Sequence, residues 1–362
     1  MKILFDYKIF LYQSYGGVSR YFVELTKNLI KQKMSPLIVA PLHINEHLNE
    51  FSSKNKVGKY IEPKRKIIFF YKIYNELYST LFLKNYKHDI FHTTYYDKSL
   101  LNLKKPLIVT VYDLIHEIYY KDYKKNINFR SKKSILERAD HIICISENTK
   151  NDLQNFYNID ENKISVIYLS NFVNYNPDII TKLNINKSYF LYVGMRKRYK
   201  NFKFFVDAFS RDKKLVENFD IICFGGGKFT KDELVFFSKK EINISKIHYF
   251  EGDDTLLSTL YKNAEALVYP SMYEGFGLPI LEAMTSKCPV ISSNTSSLPE
   301  VYGNAALSFD PTSVDDLNQK MNLIINDKNL KKKLIDLGSA RAKKFTMNKL
   351  AEETISVYKK FI

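Results

Sequence analysis

The stretch Tyr269–Met284, with the sequence YPSMYEGFGLPILEAM, decides how the rest of the chain is interpreted. It continues the apolar run Ala266–Tyr269, whose length and composition predict a buried strand. Pro279 lies at the expected first position of a following helix, and helices accept proline there. The stretch therefore predicts a strand, a loop and a helix in direct succession.

The loop in this stretch has the features of an anion site. Gly275 and Gly277 allow the backbone to approach a ligand closely. The helix that follows directs its free N–H groups and the positive end of its dipole toward that ligand, which favours a diphosphate. Glu274 in the loop and Glu282 in the first helical turn add acceptors suited to sugar and ribose hydroxyls. An ordinary loop before a helix is the alternative interpretation.

Short β-branched or aromatic runs alternate with helical patterns through most of the chain, which predicts parallel sheets covered by helices. The first series of predicted strands is Ile3–Tyr7, Pro36–Ala40, Asp89–His92, Leu107–Tyr112, His141–Ser146 and Ile164–Leu169. The second series is Tyr189–Val193, Asp220–Phe224, His248–Phe250, Ala266–Tyr269 and Pro289–Ser292. Between them, Asn171–Lys187 is rich in Asn, Pro and Lys and is interpreted as a linker. The pattern predicts an α/β protein of two doubly wound domains facing a central cleft.

The composition limits the classes of protein to which the chain can belong. The chain has 362 residues, of which 45% are hydrophobic and 26% are charged, as expected for two domains of ordinary size. No run approaches about 18 consecutive apolar residues, and the first residues lack the features of a secretory signal. Cys144, Cys223 and Cys288 lie far apart, which favours core thiols in a reducing compartment over disulfides or a zinc site. We therefore expect a cytoplasmic protein.

The net charge of +16 indicates a polyanionic partner, which can be nucleic acid, an anionic membrane surface or a phosphorylated substrate. Abundant Lys, Asn and Ile are typical of an AT-rich genome, so part of this charge reflects compositional bias. Lys54–Lys72 contains seven basic residues, and Ile67–Tyr86 predicts an amphipathic helix rich in aromatic residues. Such a segment suits an anionic bilayer. A solvated flank beside a core-facing helix is the alternative.

Two glutamates separated by seven residues, within PSMYEGFGLPILEAM, resemble the signature of retaining glycosyltransferases of family 4. The segment Gly16–Tyr21, GGVSRY, is similar to the glycine loop of that family, and His141–Asp152, HIICISENTKND, resembles one of its strand–helix segments. The resemblance implies the GT-B fold of two Rossmann-like domains. It divides the chain into an acceptor-binding domain (1–172), a nucleotide-sugar-binding domain (173–346) and a C-terminal helix (347–362) that packs back on the first domain.

The resemblance also implies roles for residues of the second domain. Glu274 would contact the donor sugar and Glu282 the ribose of the nucleotide. The residues between them that line the substrate would be Gly275, Phe276, Gly277 and Leu278. Gly226, in a glycine run after a predicted strand, allows a nucleotide base to lie against the backbone, and Phe250 lies in a segment similar to the base pocket of the family.

Arg196 and Lys200 follow the first predicted strand of the second domain, at the edge where open α/β sheets bind ligands. Both can reach a diphosphate there and neutralise the charge that grows on the leaving group. The family commonly has an arginine–lysine pair in this segment, with a variable position for the arginine. Lys200 is therefore the firmer assignment, and Arg198 is the alternative to Arg196. A solvated basic turn is the other interpretation.

Six residues at predicted strand ends of the first domain are candidates for binding the acceptor or the sugar. They are Gly16, Gly17, Arg20, His92, Asp113 and His116. The glycine pair precedes a predicted helix and suits a tight turn against phosphate or acceptor. The resemblance places acceptor- or sugar-contacting residues at Asp113 and His116. For His92, a structural role in the core is the alternative interpretation.

Metal sites are not favoured by the sequence. His43 and His47 are four residues apart, as are His88 and His92, but neither pair has a third ligand nearby. We expect metal-independent catalysis without a cofactor, in which arginine, lysine and the helix dipole supply the positive charge. The nucleotide-diphosphate sugar is then a substrate.

The pattern as a whole predicts a retaining glycosyltransferase. It would move a hexose to a hydroxyl of a lipid-linked or oligosaccharide acceptor in bacterial surface-polysaccharide synthesis, on the inner face of the cell membrane. Mannosyltransferase-like members are the most similar, which favours GDP-mannose, with UDP- and dTDP-sugars as alternatives. A nucleotide-sugar epimerase on the same fold and a basic nucleic-acid-binding protein are the rival functions.

Overall fold

The computed structural model describes residues 1–63, 67–119, 127–173, 185, 187–196 and 198–362. The chain divides into two compact units. The first unit is Met1–Phe172 with Met347–Ile362, and the second unit is Val173–Thr346. Most of the predicted linker lies outside the described residues.

The first unit is built on a parallel sheet, as predicted. Within the described residues it has seven strands in the order β3-β2-β1-β4-β5-β6-β7. The strands are β1 Lys2–Phe5, β2 Ser35–His43, β3 Lys56–Tyr60, β4 Ile90–Thr93, β5 Leu107–Val111, β6 His141–Cys144 and β7 Ile164–Val166. The helices are α1 Lys8–Tyr12, α2 Gly17–Lys31, α3 Glu46–Glu50, α4 Ile68–Asn85, α5 Ile115–Tyr119, α6 Ile127–Arg138, α7 Glu147–Tyr157 and α16 Met347–Lys359.

The second unit repeats this plan with six strands in its described part, in the order β10-β9-β8-β11-β12-β13. The strands are β8 Ser188–Val193, β9 Phe219–Phe224, β10 Ile247–Phe250, β11 Ala266–Tyr269, β12 Val290–Ser293 and β13 Leu307–Phe309. The helices are α8 Phe202–Ser210, α9 Lys213–Asn218, α10 Lys231–Lys239, α11 Asp254–Asn263, α12 Leu278–Thr285, α13 Leu298–Tyr302, α14 Val314–Asn326 and α15 Lys328–Ala342. Both strand orders are those of doubly wound sheets, so the predicted fold class is confirmed.

Burial on both faces of the sheets explains why most strands are recognisable in the sequence. Every residue of β4, β5, β6 and β11 is buried, which requires runs without polar alternation. The sequence analysis predicts neither of the edge strands β3 and β13. β3 reads KVGKY and is partly exposed, as edge strands with lysine commonly are. Gly58 lies beside β2, and a Cβ there would stand 1.7 Å from the carbonyl oxygen of Ala40.

Helix α16 packs against α2 and is fastened to the first sheet by a buried histidine. The Nδ1 atom of His92 lies 2.6 Å from the hydroxyl of Tyr358, and its Nε2 atom lies 2.8 Å from Oγ1 of Thr110. His92 is fully buried. The C-terminal helix is therefore part of the first unit, and its contact with the sheet runs through a polar group that is satisfied on both sides.

We predict that acidification destabilises the first unit through His92. Burial lowers the pKa of His92 to about 3, from 6.5 in an unperturbed histidine. Between these values the unfolded chain takes up a proton that the folded chain does not, so stability falls as the pH falls. The expected contribution is a loss of about 2 kcal/mol between pH 7 and pH 5. Urea denaturation at both pH values measures it.

Two variants distinguish this effect from the other titrating groups. His92→Gln should reduce the difference between the two pH values by roughly the amount assigned to His92. The matched control is His116→Gln, which removes an exposed histidine and leaves His92 in place, so the share assigned to His92 should persist in it. The same pH difference in all three proteins would contradict the assignment.

Candidate functional site

An ion pair joins two loops at the point where the strand order of the second sheet reverses. Strands β8 and β11 are neighbours there. Lys200 lies in the turn after β8, and Glu274 lies in the loop after β11. The Nζ atom of Lys200 donates to Oε1 of Glu274 at 2.6 Å and to Oε2 at 2.8 Å. The ligand sites of open α/β sheets lie at this position.

Two serines hold the backbone of the Glu274 loop. The N–H of Glu274 donates to Oγ of Ser296 at 2.9 Å. The hydroxyl of Ser297 lies 2.8 Å from the carbonyl oxygen of Glu274 and 3.1 Å from that of Phe276, to which it donates. The sequence analysis does not predict these contacts. The feature of the sequence that could have indicated them is the pair of serines, Ser296 and Ser297, directly before α13.

The helix after this loop begins as predicted. Gly277 precedes α12 with a φ of 107°, and a Cβ there would lie 2.8 Å from Cδ2 of Leu298. Glycine is therefore required by both its backbone conformation and its packing. Pro279 lies in the first turn of α12. Glu282, on the same helix, accepts a hydrogen bond from the hydroxyl of Tyr261 at 2.9 Å and is half-buried.

Arg196 follows β8, as predicted, and holds the glycine run after β9. Its guanidinium donates to Glu233 at 2.8 Å and to the carbonyl oxygens of Gly225 at 2.9 Å and Gly227 at 2.6 Å. It also lies against the Phe229 ring, 4.7 Å from the centroid. These contacts use all three nitrogens and bury the side chain. The structure therefore shows Arg196 supporting the glycine run after β9, and its contact with a diphosphate stays a prediction.

The pKa of Glu233 agrees with this arrangement. Burial by itself would raise it, but the N–H of Thr230 and the guanidinium of Arg196 lower it overall. Glu233 also completes a capping box with Thr230 at the start of α10. The sequence analysis does not identify Glu233, because nothing in the primary sequence links it to Arg196. The alternative arginine, Arg198, is exposed.

The structure brings Gly226 and Phe250 to one edge of the second sheet. A Cβ at Gly226 would lie 2.7 Å from the carbonyl oxygen of Gly194, so the glycine allows the loop after β9 to pack on the loop after β8. The N–H of Gly225 donates to the carbonyl oxygen of Phe250 at 3.0 Å. Gly226 itself is exposed and Phe250 is partly exposed. Both are accessible to a ligand at the sheet edge that also carries Lys200.

The glycine loop of the first unit is bound closely by its neighbours. Gly16 and Gly17 start α2, and the N–H of Ser19 donates to Oε1 of Gln13 at 3.3 Å. The guanidinium of Arg20 donates to the carbonyl oxygen of Phe172. Gly17 is exposed. The loop therefore presents backbone to solvent at the carboxyl edge of the first sheet.

Asp113 and His116 lie at the same edge, after β5. Oδ1 of Asp113 accepts from the N–H of Ile115 at 3.1 Å, and burial raises the pKa of this carboxyl. Lys132 donates to the carbonyl oxygen of Asp113 at 3.0 Å and pairs with Glu117 at 2.8 Å. His116 is exposed.

His92, in contrast, is fully buried and has both ring nitrogens engaged by Tyr358 and Thr110. This corrects its predicted role in substrate binding, because it has no nitrogen to offer a ligand.

A second polar cluster at this edge has no counterpart in the sequence analysis. Lys8, which is buried, pairs with Glu76 at 2.7 Å and with Asp97. Asp6 accepts from the hydroxyl of Thr93 at 2.6 Å. The cluster lies between β1 and β4, where the strand order of the first sheet reverses. The feature of the sequence that could have indicated this cluster is the polar segment Asp6–Lys8 directly after β1.

Two family models match the chain, and between them they cover most of it. The model for glycosyltransferase family 4 matches residues 15–170, and the model for glycosyl transferases group 1 matches residues 176–341. The chain is a glycosyltransferase of the GT-B fold. Each matched segment coincides with one of the two sheet-containing units, and the second contains both Lys200 and Glu274.

Curated relatives extend over the whole chain or part of it. The chain is 27% identical to O-antigen chain mannosyltransferase B of Escherichia coli, over 99% of this chain and 100% of that protein. It is 34% identical to O-antigen chain mannosyltransferase RfbU of Salmonella typhimurium, over 56% of each. The relatives therefore include mannosyltransferases of similar length.

Solved structures share the fold at low sequence identity. WaaG, a glycosyltransferase involved in lipopolysaccharide biosynthesis, aligns with a TM-score of 0.74 at 15% identity, over 99% of both chains. Anabaena HepE in complex with UDP-glucose aligns with a TM-score of 0.73 at 16% identity, over 99% of this chain and 100% of that one. At such identities the likeness establishes the fold.

We predict that Arg196 contributes more to stability than the neighbouring exposed arginine. Arg196→Ala leaves Glu233 as a buried carboxylate without its partner, and the expected loss is about 3–5 kcal/mol in the unfolding free energy. The matched control, Arg198→Ala, removes an exposed side chain and should change it by about 1 kcal/mol or less, because contacts of exposed charged groups contribute little. Urea denaturation followed by circular dichroism measures both. Equal losses in the two variants would contradict the buried role of Arg196.

Proposed function

We propose that the protein is a retaining mannosyltransferase that uses GDP-mannose as donor. The acceptor is a hydroxyl of a lipid-linked or oligosaccharide substrate in surface-glycan synthesis. The observation that carries the proposal is the Lys200–Glu274 ion pair at the reversal point of the second sheet. Two relatives named as O-antigen chain mannosyltransferases support the choice of sugar and pathway class.

Lys200 is the residue proposed to stabilise the leaving group. An ammonium group carries three N–H donors, and two of them reach the carboxylate of Glu274. The third is available for a phosphate oxygen of the donor. When the glycosidic bond breaks, negative charge grows on the diphosphate, and a cation held in place before the reaction stabilises that charge. The N-terminal turn of α12 adds its backbone dipole.

Glu274 is proposed to bind hydroxyls of the transferred sugar, and Glu282 those of the ribose. Glu274 is nearly buried, held by Lys200 and by the serines of the following loop. Its carboxylate oxygens are thus fixed before the donor binds, which lowers the entropic cost of orienting the sugar. Gly226 and Phe250 are proposed to lie against the nucleotide base.

The reaction is proposed to keep the anomeric configuration. Attack by the acceptor hydroxyl on the face that the diphosphate leaves allows the leaving phosphate to take the acceptor's proton. Gly16, Gly17, Arg20, Asp113 and His116 are the proposed acceptor-side residues. Nuclear magnetic resonance of the first product tests the stereochemistry, and an inverted anomer would overturn this step.

The donor is tested by thermal denaturation with GDP, UDP and dTDP and their sugars. A ligand that binds only the native state raises stability, by about 2.7 kcal/mol when present at roughly a hundred times its dissociation constant. GDP and GDP-mannose should raise the melting temperature, whereas the UDP and dTDP series should leave it near that of the free protein. A rise in the melting temperature with UDP-sugars alone would identify a UDP-sugar as the donor. The proposed reaction class would then be unchanged.

We predict that Lys200→Ala lowers turnover by about 100-fold or more, because it removes a contact that strengthens in the transition state. The matched control is Lys203→Ala, which removes an exposed lysine on α8 and should leave turnover near that of the parent. Steady-state kinetics with the donor identified above measure both variants. If turnover of Lys200→Ala is near that of the parent, stabilisation of the leaving group would be assigned to Arg198 instead.

Substitutions of the two glutamates are predicted to affect different quantities, nucleotide binding for Glu282 and turnover for Glu274. Glu282→Ala should weaken nucleotide binding by about 1–3 kcal/mol, the usual cost of losing a hydrogen bond to a charged group. Glu274→Ala should mainly lower turnover, because its proposed contact is to the transferred sugar. Titration calorimetry with the nucleotide and kinetics at saturating donor distinguish the two. Small and equal effects would refute the assignment.

Catalysis is proposed to be independent of metal ions, with Lys200 and the N-terminus of α12 providing the positive charge at the diphosphate. Activity should persist in the presence of a chelator. A loss that only a divalent cation restores would overturn this part of the proposal.

A further inference from the structure

Helix α4 is attached to the first unit by one of its faces. The side-chain amide of Asn75, which is fully buried, donates to the carbonyl oxygen of Leu42 at 2.8 Å and accepts from its N–H at 2.8 Å. Glu76 receives the ammonium of Lys8 at 2.7 Å. Tyr78 and Phe82 pack against the hydrophobic core. These contacts fix the rotation of the helix about its axis.

The opposite face of α4 exposes large apolar side chains to solvent. Their exposed fractions range from 43% to 67%. They are Phe69, Phe70, Ile73, Tyr74, Leu77 and Leu81. At about 100° of rotation per residue, all six positions fall within a sector of about 140°. They therefore form one stripe, which also contains Thr80 and ends at Lys84. We call this stripe the apolar face of α4.

This arrangement differs from the amphipathic helix that the sequence analysis predicts. Apolar residues occur on both sides of α4, and a helix with this distribution is typical of a buried or membrane-associated element. A soluble surface rarely carries such a contiguous apolar stripe unless another surface covers it. The described residues of the chain leave the apolar face open.

Charge around the apolar face favours an anionic bilayer as the surface that covers it. Lys72 and Lys84 are exposed on α4 itself, and Lys87 is exposed just after it. The acidic residue of α4 is Glu76, which Lys8 neutralises. The basic residues 64–66, included in the predicted membrane-binding run, lie outside the described residues.

The same charges disfavour a second copy of the chain on this face. A two-fold symmetric contact uses the same surface patch of both copies, so it would bring both sets of lysines around the apolar face into one interface. Like charges placed together across an interface cost free energy. A bilayer containing anionic lipid has no such penalty, because its headgroups carry the complementary charge.

We propose that α4 docks on an anionic bilayer, with its axis in the membrane plane and its apolar face among the acyl chains. The described residues contain no helix long and apolar enough to cross a bilayer, and an in-plane helix needs no such length. Lys72 beside the apolar face, and Lys84 and Lys87 at its C-terminal end, reach the headgroups. The docking is a property of the first unit and goes beyond the proposed transfer reaction, since it holds whatever the donor.

A single tryptophan tests the position of this face, because the chain contains none. Leu77→Trp places the probe on the apolar face, and Leu234→Trp is the matched control at an exposed leucine of α10. With phosphatidylcholine–phosphatidylglycerol vesicles, the fluorescence of Leu77→Trp should shift to the blue and be quenched by brominated acyl chains. The control should show neither change. Equal responses in the two variants, or none in Leu77→Trp, would overturn the proposal.

Vesicle flotation of the full-length protein tests which forces act. Phe69→Ser with Leu77→Ser and Leu81→Ser should weaken binding by about tenfold or more, because less apolar surface enters the bilayer. Lys72→Glu with Lys84→Glu should weaken it on anionic vesicles by a similar factor. The matched control, Val235→Ser with Leu323→Ser, alters exposed apolar residues of the second unit and should leave binding unchanged. Circular dichroism verifies that each variant is folded.

Three outcomes would overturn the proposal. The first is equal binding to pure phosphatidylcholine vesicles. The second is absence of binding to anionic vesicles at low ionic strength. The third is a dimer in light scattering that the serine variants dissociate, which would assign the apolar face to a second copy of the chain.

Discussion

The ion pair between Lys200 and Glu274 is the contact on which the site of the second unit depends. It lies where β8 and β11 run side by side while the chain leaves them in opposite directions. The loops after the two strands therefore diverge, and the space between them is open to a ligand. A carboxylate this far from water is costly unless it is paired, so the lysine both stabilises the loop and stays beside the position proposed for the diphosphate.

Two cations of the same segment have different roles because their surroundings differ. Arg196 is enclosed by Glu233 and by carbonyl oxygens of the glycine run, and all its nitrogens are engaged. Its planar, multidentate group is suited to holding several fixed acceptors at once. Lys200 is partly accessible, and its compact ammonium keeps a donor for a mobile group. The arginine orders the loop, and the lysine lies beside the position proposed for the diphosphate.

The first unit has the same strand order, but the carboxyl edge of its sheet carries a different set of ion pairs. Lys8 is buried there and pairs with Glu76 and Asp97, which are partly exposed. The pair with Glu76 ties α4 to the end of β1. This tie orients the apolar face of α4 away from the core. Together with the buried amide of Asn75, this ion pair holds one side of α4 to the protein and leaves the apolar face outward.

The sequence by itself determined the two parallel sheets, because strands buried on both faces must be continuous apolar runs. It also determined the loop and helix around Glu274, where Gly277 and Pro279 leave few conformations open. It did not predict β3, since an edge strand needs no apolar pattern.

Only the tertiary structure decided the roles of His92 and Arg196, because the partners that occupy them, Tyr358 and Glu233, are distant in the chain. It likewise decided which face of α4 is exposed. The helix is apolar on both sides, and the contacts of Asn75 with β2 and of Glu76 with Lys8 select the side that packs. Local patterns depend on neighbours in sequence, whereas accessibility depends on neighbours in space.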